Sequence, residues 1–175
     1  MFWDEFGFSF QEQLATTWAR IGKRPIHRRV TKERRALSTV VALTLSGRIY
    51  KRHFEGSVRS EQLIQTLAHI QEHIPGKIIV IWDRSKTHLS KITKAYLREH
   101  PEILIEQLPP YAPQLNPEEY CHGNVKQGLK NARPITKEEI RSMLDLGFAR
   151  LRRRPDLLLN FVHEAGLSVR QLRLT

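Results

Sequence analysis

Lys77-Ile78-Ile79-Val80-Ile81-Trp82-Asp83 decides the fold class. Ile78 to Trp82 is the longest uninterrupted apolar run in the chain, and five such residues in a row read as a strand covered on both faces. The run closes on one carboxylate, Asp83, at the end where open sheets gather functional groups. On its N-terminal side, Ser60 reads as an N-cap. Leu63, Ile64, Leu67, Ile70 and Ile74 follow at helical spacing until Pro75-Gly76 closes the helix. On its C-terminal side, Ser90 to Glu99 predicts a helix with Ile92 and Tyr96 on one side. Pro101 stops it, and Ile103 to Leu108 predicts a second strand. Strand, helix and strand in that order call for a parallel pair.

Further out, Phe2 to Phe8 reads as a strand with Phe2, Asp4, Phe6 and Phe8 on one face. Ala36 to Leu45 and Arg48 to Phe54 flank Ser46-Gly47, an antiparallel hairpin pattern. The segment 19–35, with Gly22 and Pro25, reads as a loop or short extension. Pro-Pro-Tyr-Ala-Pro at 109–113 requires an extended loop. Asn116-Pro117 then opens a helix that Gly123 and Gly128 weaken by propensity, so packing must hold it. Thr136 with Glu139 is a capping-box signal for a helix whose stripe is Ile140, Met143, Leu144, Phe148 and Leu151. Pro155 opens a last helix and Gly166 closes it. The expectation is an α/β fold: a mixed five-stranded sheet flanked by helices.

The 175 residues fit one domain. A membrane helix needs about 20 apolar residues, and Asp4 and Glu5 break any signal-peptide pattern at the start. The single cysteine, Cys121, excludes an internal disulfide and fits a reducing cytoplasm; it reads as a small core residue. The formal net charge is +11 and unevenly spread. Residues 1–60 carry 12 basic and 5 acidic groups, 61–120 carry 6 and 8, and 121–175 carry 11 and 5. Arg20, Lys23, Arg24, Arg28, Arg29, Lys32, Arg34 and Arg35 form the densest patch; Arg150, Arg152, Arg153 and Arg154 form another. Such patches suit a polyanion, since each neutralised phosphate releases counterions. Charge alone does not separate DNA from RNA.

Three acids stand at telling places: Asp4 inside the first strand, Asp83 at the end of the buried one, and Glu119 in the first turn of a helix after the Pro-rich loop. If the first and fourth strands are neighbours, Asp4 and Asp83 approach each other and Glu119 comes over from the helix. Crowded carboxylates need cations, which points to oxygen-ligated divalent metal and phosphoryl-transfer chemistry on two Mg²⁺ about 3.5–4 Å apart. Each acid also has a plainer reading. Asp4 could face solvent, with Glu5 its rival on the opposite face. Asp83 could cap the turn with Ser85. Glu119 could reach back to Asn116 as the far half of a capping box. Glu118 is a further possible ligand. The eight histidines are scattered along the chain, and no zinc cluster is expected.

Taken together, these residues resemble the bacterial members of the mariner transposase superfamily. Phe2-Trp3-Asp4-Glu5-Phe6-Gly7-Phe8 is similar to the family's "DE-x-G-F" opening, and Trp18, Ala19 and Gly22 to the "tWa-x-x-G" that follows. Asp83 with His88 five residues on resembles the second-Asp motif. Leu108 to Glu119 is close to "LPPYSPxLNPxE", and Lys126 matches the trailing lysine. The resemblance implies an RNase H-like catalytic domain with a DDE triad on Asp4, Asp83 and Glu119, 35 residues separating the last two. It implies two Mg²⁺ or Mn²⁺ ions, with Asp4 bridging both and Asp83 and Glu119 holding one each. The implied activity is DNA cleavage at transposon ends and strand transfer by the freed 3′-hydroxyl. The alternatives are an RNase H-like nuclease without strand transfer and an inactive DNA-binding remnant.

Arg84 stands where many relatives have Asn, and His122 where Trp is common. The family's N-terminal helix-turn-helix region has no counterpart in residues 1–175. The expectation is therefore one catalytic domain in the bacterial cytoplasm, with 131–175 its helical extension, and either the partner of a separately encoded DNA-binding half, a degenerate copy or a trimmed piece of a longer protein. A homodimer on paired DNA ends is the implied assembly. His88 is expected either to touch DNA, to orient a metal-bound water or to cap the following helix; Tyr111 either packs under its loop or meets substrate.

Overall fold

The computed structural model describes residues 1–10, 16–26, 37–132 and 134–168. Strand β1 (Phe2–Phe8) runs antiparallel to β2 (Leu37–Leu43), which pairs antiparallel with β3 (Ile49–Glu55). Strands β4 (Ile78–Trp82) and β5 (Ile103–Gln107) continue the sheet in parallel from the other edge of β1. The order β3-β2-β1-β4-β5 is the mixed five-stranded sheet expected, with β1 at its centre.

Helices α1 (Ser60–His73) and α2 (Lys91–Glu99) cover one face. There Leu63, Leu67 and Ile70 pack with Trp3, Val40, Val80 and Trp82. Helices α3 (Pro117–Gly128), α4 (Lys137–Arg152) and α5 (Pro155–Glu164) cover the other. Cys121, Val125, Ile140, Leu144, Phe148, Leu158 and Val162 meet Phe6, Phe8 and Val41 in a second core. The C-terminal helices thus share a core with the sheet. Every residue of β2 is buried, because both its faces are covered. Losing a fully buried ring such as Phe148 would cost about 3–5 kcal/mol.

Local chemistry explains the element ends, with three shifts from expectation. Arg59, not Ser60, is the N-cap of α1, its N–H donating to Gln62 Oε1 at 3.0 Å. The Ser60 hydroxyl is instead 2.8 Å from that of Ser90, the N-cap of α2, so the two helix starts are linked. On α2 the buried residue is Thr93, and Ile92 is half exposed. Asp83 falls just past β4, as β4 ends at Trp82. Helix α3 tolerates its glycines because packing holds it. A Cβ on Gly147 of α4 would come within 2.8 Å of Val125 Cγ1, so α4 closes on α3 only without a side chain there. Among the described residues, no helix is long and apolar enough to cross a membrane.

Candidate active site

The sheet register brings two of the three acids together. Phe2 of β1 pairs with Ile81 of β4 in a parallel ladder. Two residues further along each strand stand Asp4 and Asp83, so they reach the same level on neighbouring strands. Asp4 projects from β1 toward the α3 side, and its Oδ1 accepts the Glu5 N–H at 2.8 Å.

Glu119 is delivered by the start of α3. Asn116, buried, uses both ends of its amide: Oδ1 accepts the Glu118 N–H at 3.1 Å, and Nδ2 donates to the Trp3 carbonyl at 3.0 Å. The N-cap of α3 is therefore pinned to the strand residue preceding Asp4. The Glu119 carboxylate takes no part in capping and meets His122 Nε2 at 2.8 Å, which removes the capping-box reading. Glu118 is completely buried and accepts from His122 Nδ1 at 2.9 Å. It stands behind the cleft lining, not in it.

Two buried histidines organise the acids. His122, at i+3 and i+4 from the two glutamates, also lies 3.6 Å from Asp4 Oδ2. Burial works against its charge, but the hydrogen bonds to Glu118 and Glu119 outweigh it and carry its pKa up to about 9. His88 is stacked on Trp82 at 4.2 Å. Its Nδ1 is 2.7 Å from Asp83 Oδ1 and its Nε2 is 2.9 Å from Glu5 Oε1. Burial is again outweighed, here by the bonds to Asp83 and Glu5, and its pKa also rises to about 9. The bond from His88 holds Asp83 below the ordinary carboxylate value, and the bond from His122 does the same for Glu119. Asp4 goes the other way. Burial, then the charges of Glu118 and Glu119, push it up to about 9.

Asp4, Asp83 and Glu119 line one cleft of about 420 Å³ with Arg84, Asn116 and the 108–113 loop. Asp4 Oδ2 is buried without a hydrogen-bond partner. Ligand atoms of Asp4, Glu119 and His122 lie within 4.8 Å of one another. Two carboxylates and an imidazole, with one carboxylate oxygen unpartnered, are donors that can hold a divalent cation. Asp83 stands outside this group and lines the same cleft. Tyr111 is fully exposed at the rim with φ of 57°, a left-handed backbone rare outside glycine, so it does not pack beneath its loop.

The expected DNA-contacting residues divide. Arg20, Lys23 and Arg24 are exposed on the insertion between β1 and β2. Arg28, Arg29, Lys32, Arg34 and Arg35 lie outside the described residues. The Lys126 ammonium sits 4.9 Å over the Phe6 ring. His88 is buried between Asp83, Glu5 and Trp82, so it has no surface with which to meet a phosphate. Sequence reasoning treated His122 and Arg84 only as departures and missed Asn116 as a clamp. The spacing of His122 from Glu118 and Glu119 on one helix was the signal available.

A family described as "DDE superfamily endonuclease" matches residues 1–141. No curated protein matches the chain. Among solved structures, the catalytic domain of Mos1 mariner transposase is similar, with a TM-score of 0.62 and 17% identity over 96% of this chain and 82% of that one. The Mos1 transposase paired-end complex with left transposon end gives 0.66 and 20%, covering 94% of this chain and 55% of that chain. The Mos1 mariner paired-end complex with Mn gives 0.66 and 19%, covering 96% and 56%. The chain spans about half the length of the transposase chains in those complexes, and it shares their RNase H-like fold.

Proposed function

This chain belongs to the DDE superfamily endonucleases, and on that premise we propose that it is a transposase catalytic domain that cuts DNA at transposon ends and transfers the freed strand. The observation that carries the proposal is that Asp4, Asp83 and Glu119, far apart in sequence, line one cleft. In this reading they hold two Mg²⁺ or Mn²⁺ ions. When bound, these supply Lewis-acid activation of the attacking oxygen and neutralise the departing one. The protein's own part is positioning. Asn116 fixes Glu119 against β1, His88 orients Asp83, and His122 keeps Glu118 and Glu119 from repelling Asp4 out of line.

The DNA backbone is proposed to run over the cleft past Arg84 and Tyr111 and along Arg20, Lys23 and Arg24, with Lys126 at the side. These are phosphate-type contacts without sequence preference. We propose that sequence-specific reading of the ends lies in a segment other than these 175 residues, and that the source is a bacterial insertion sequence. The 175 residues form a single domain in this reading, and the fully exposed Trp18 and Ile21 on the insertion support a homodimer.

The test is Mn²⁺-dependent nicking of supercoiled plasmid by the wild type beside Asp83→Asn. Nicking by the wild type alone is expected. Equal nicking by both, or by neither, overturns the assignment. Pre-cut transposon ends then separate the two enzymatic readings: joined products are expected, and nicking without joining would leave a nuclease.

A further inference from the structure

The last turn of α1 reads His69-Ile70-Gln71-Glu72-His73. Ile70 is buried with Leu63 and Leu67 and fixes which face of the helix is inward. His69 and His73, four apart, then emerge side by side on the outer face. Their ring centroids are 4.4 Å apart, and His69 Nδ1 lies 3.6 Å from Glu72 Oε2. One donor atom from each of the three residues falls within 4.8 Å of the others. The histidines are therefore not all scattered, as the sequence alone suggests.

We propose that His69, Glu72 and His73 form a zinc site. His73 Nδ1 can only donate to the His69 carbonyl, 2.8 Å away, since that oxygen is an acceptor. In the neutral ring this leaves the lone pair on Nε2, the tautomer a metal ligand needs, held by an outer hydrogen bond. Two imidazole nitrogens and one carboxylate form a donor set suited to Zn²⁺, unlike the all-oxygen cleft of Asp4, Asp83 and Glu119. The site lies at the C-terminal end of α1, where the helix dipole favours a cation. All three side chains are exposed, so coordination requires no desolvation of a buried charge. A recess of about 450 Å³ adjoins both histidines and leaves room for water or an anion in the remaining position. Its cations act against the metal. Two of them are already engaged, Lys51 with Asp145 and Arg152 with the Ile49 carbonyl.

The experiment is calorimetric titration of the whole chain with Zn²⁺, wild type beside the double variant His69→Ala/His73→Ala. Alanine is the better helix former, so the variant keeps its fold, which circular dichroism verifies. Outer-shell changes already cost roughly 10- to 100-fold in metal affinity, so loss of both imidazoles is expected to weaken this site by at least that much. Mn²⁺-dependent nicking is expected to be unchanged in the variant. Zinc binding of the same stoichiometry and affinity in both proteins overturns the proposal. So does a wild type whose His69 and His73 ring ¹⁵N shifts do not move when Zn²⁺ is added.

Discussion

At the end of β4, one buried imidazole holds Asp83 from the side, and Asp83 itself remains 60% exposed. At the start of α3, a second imidazole is surrounded by Asp4, Glu118 and Glu119, and Glu118 has no exposure at all. The device is the same, but the depth differs. Near solvent, the imidazolium is enough to keep Asp83 ionised and ready. Deeper in, burial pushes Asp4 up to about 9 and Glu118 to about 7, and the His122 imidazolium, with Lys126 beyond it, does not offset this. The α3 station is short of positive charge and the β4 station is not. A divalent cation in the cleft would supply the deficit.

The largest effects should come from the proposed metal ligands. Glu119→Gln and Asp83→Asn should each lower Mn²⁺-dependent nicking by on the order of 10³, the loss of several kcal/mol of charge stabilisation. Glu119→Gln should leave the melting temperature nearly unchanged, because the cap of α3 belongs to Asn116. A large fall in melting temperature with activity retained would mean the glutamate is structural.

Next in size is the contrast between the two histidines. His122→Ala strands Glu118 in the core and should cost about 3–5 kcal/mol in denaturant unfolding. His88→Ala leaves Asp83 in contact with water and should cost less, about 1–3 kcal/mol. Equal losses would erase the difference in depth between the two histidines.

The smallest and most graded effects are with pH. His88 and His122 sit at about 9 in the fold, against an ordinary 6.5. Their ion pairs therefore stabilise fully below pH 6.5 and fade as pH rises through 9. Asp4 acts in the same direction, since its folded value of about 9 exceeds its ordinary 3.8. The melting temperature of the metal-free protein should fall over that window. With Asp4 a ligand, as proposed, metal binding needs it ionised, so Mn²⁺ affinity should rise toward pH 9, by up to about tenfold per pH unit for one proton released. Affinity that is flat in pH would mean that Asp4 is not a ligand.

Much of this was legible in the residues. The apolar run before Asp83, the hairpin around Ser46-Gly47 and the punctuation at Pro75-Gly76 and Pro101 each act within a few residues, and each element formed near where it was expected. The start of α1 shows the limit of that reading. Ser60 looks like a cap from local chemistry, yet its hydroxyl is taken by Ser90, thirty residues away.

The sequence by itself determined the element order, the basic flanks and the three acids with their motif spacing, because propensity, turn chemistry and charge are local properties of the chain. Only the tertiary structure decided what those acids face. The in-register pairing of Phe2 with Ile81 sets Asp4 level with Asp83, and the Asn116 clamp swings Glu119 in beside them. Hydrogen bonds from His88 and His122 then hold Asp83 and Glu119 below the ordinary carboxylate value, while burial raises Asp4. The pairs of His122 with Glu118 and Glu119 follow from helical spacing. The desolvation of Asp4 and the contact between Glu5 and His88 depend instead on neighbours from distant parts of the chain, which no spacing along one strand or helix encodes.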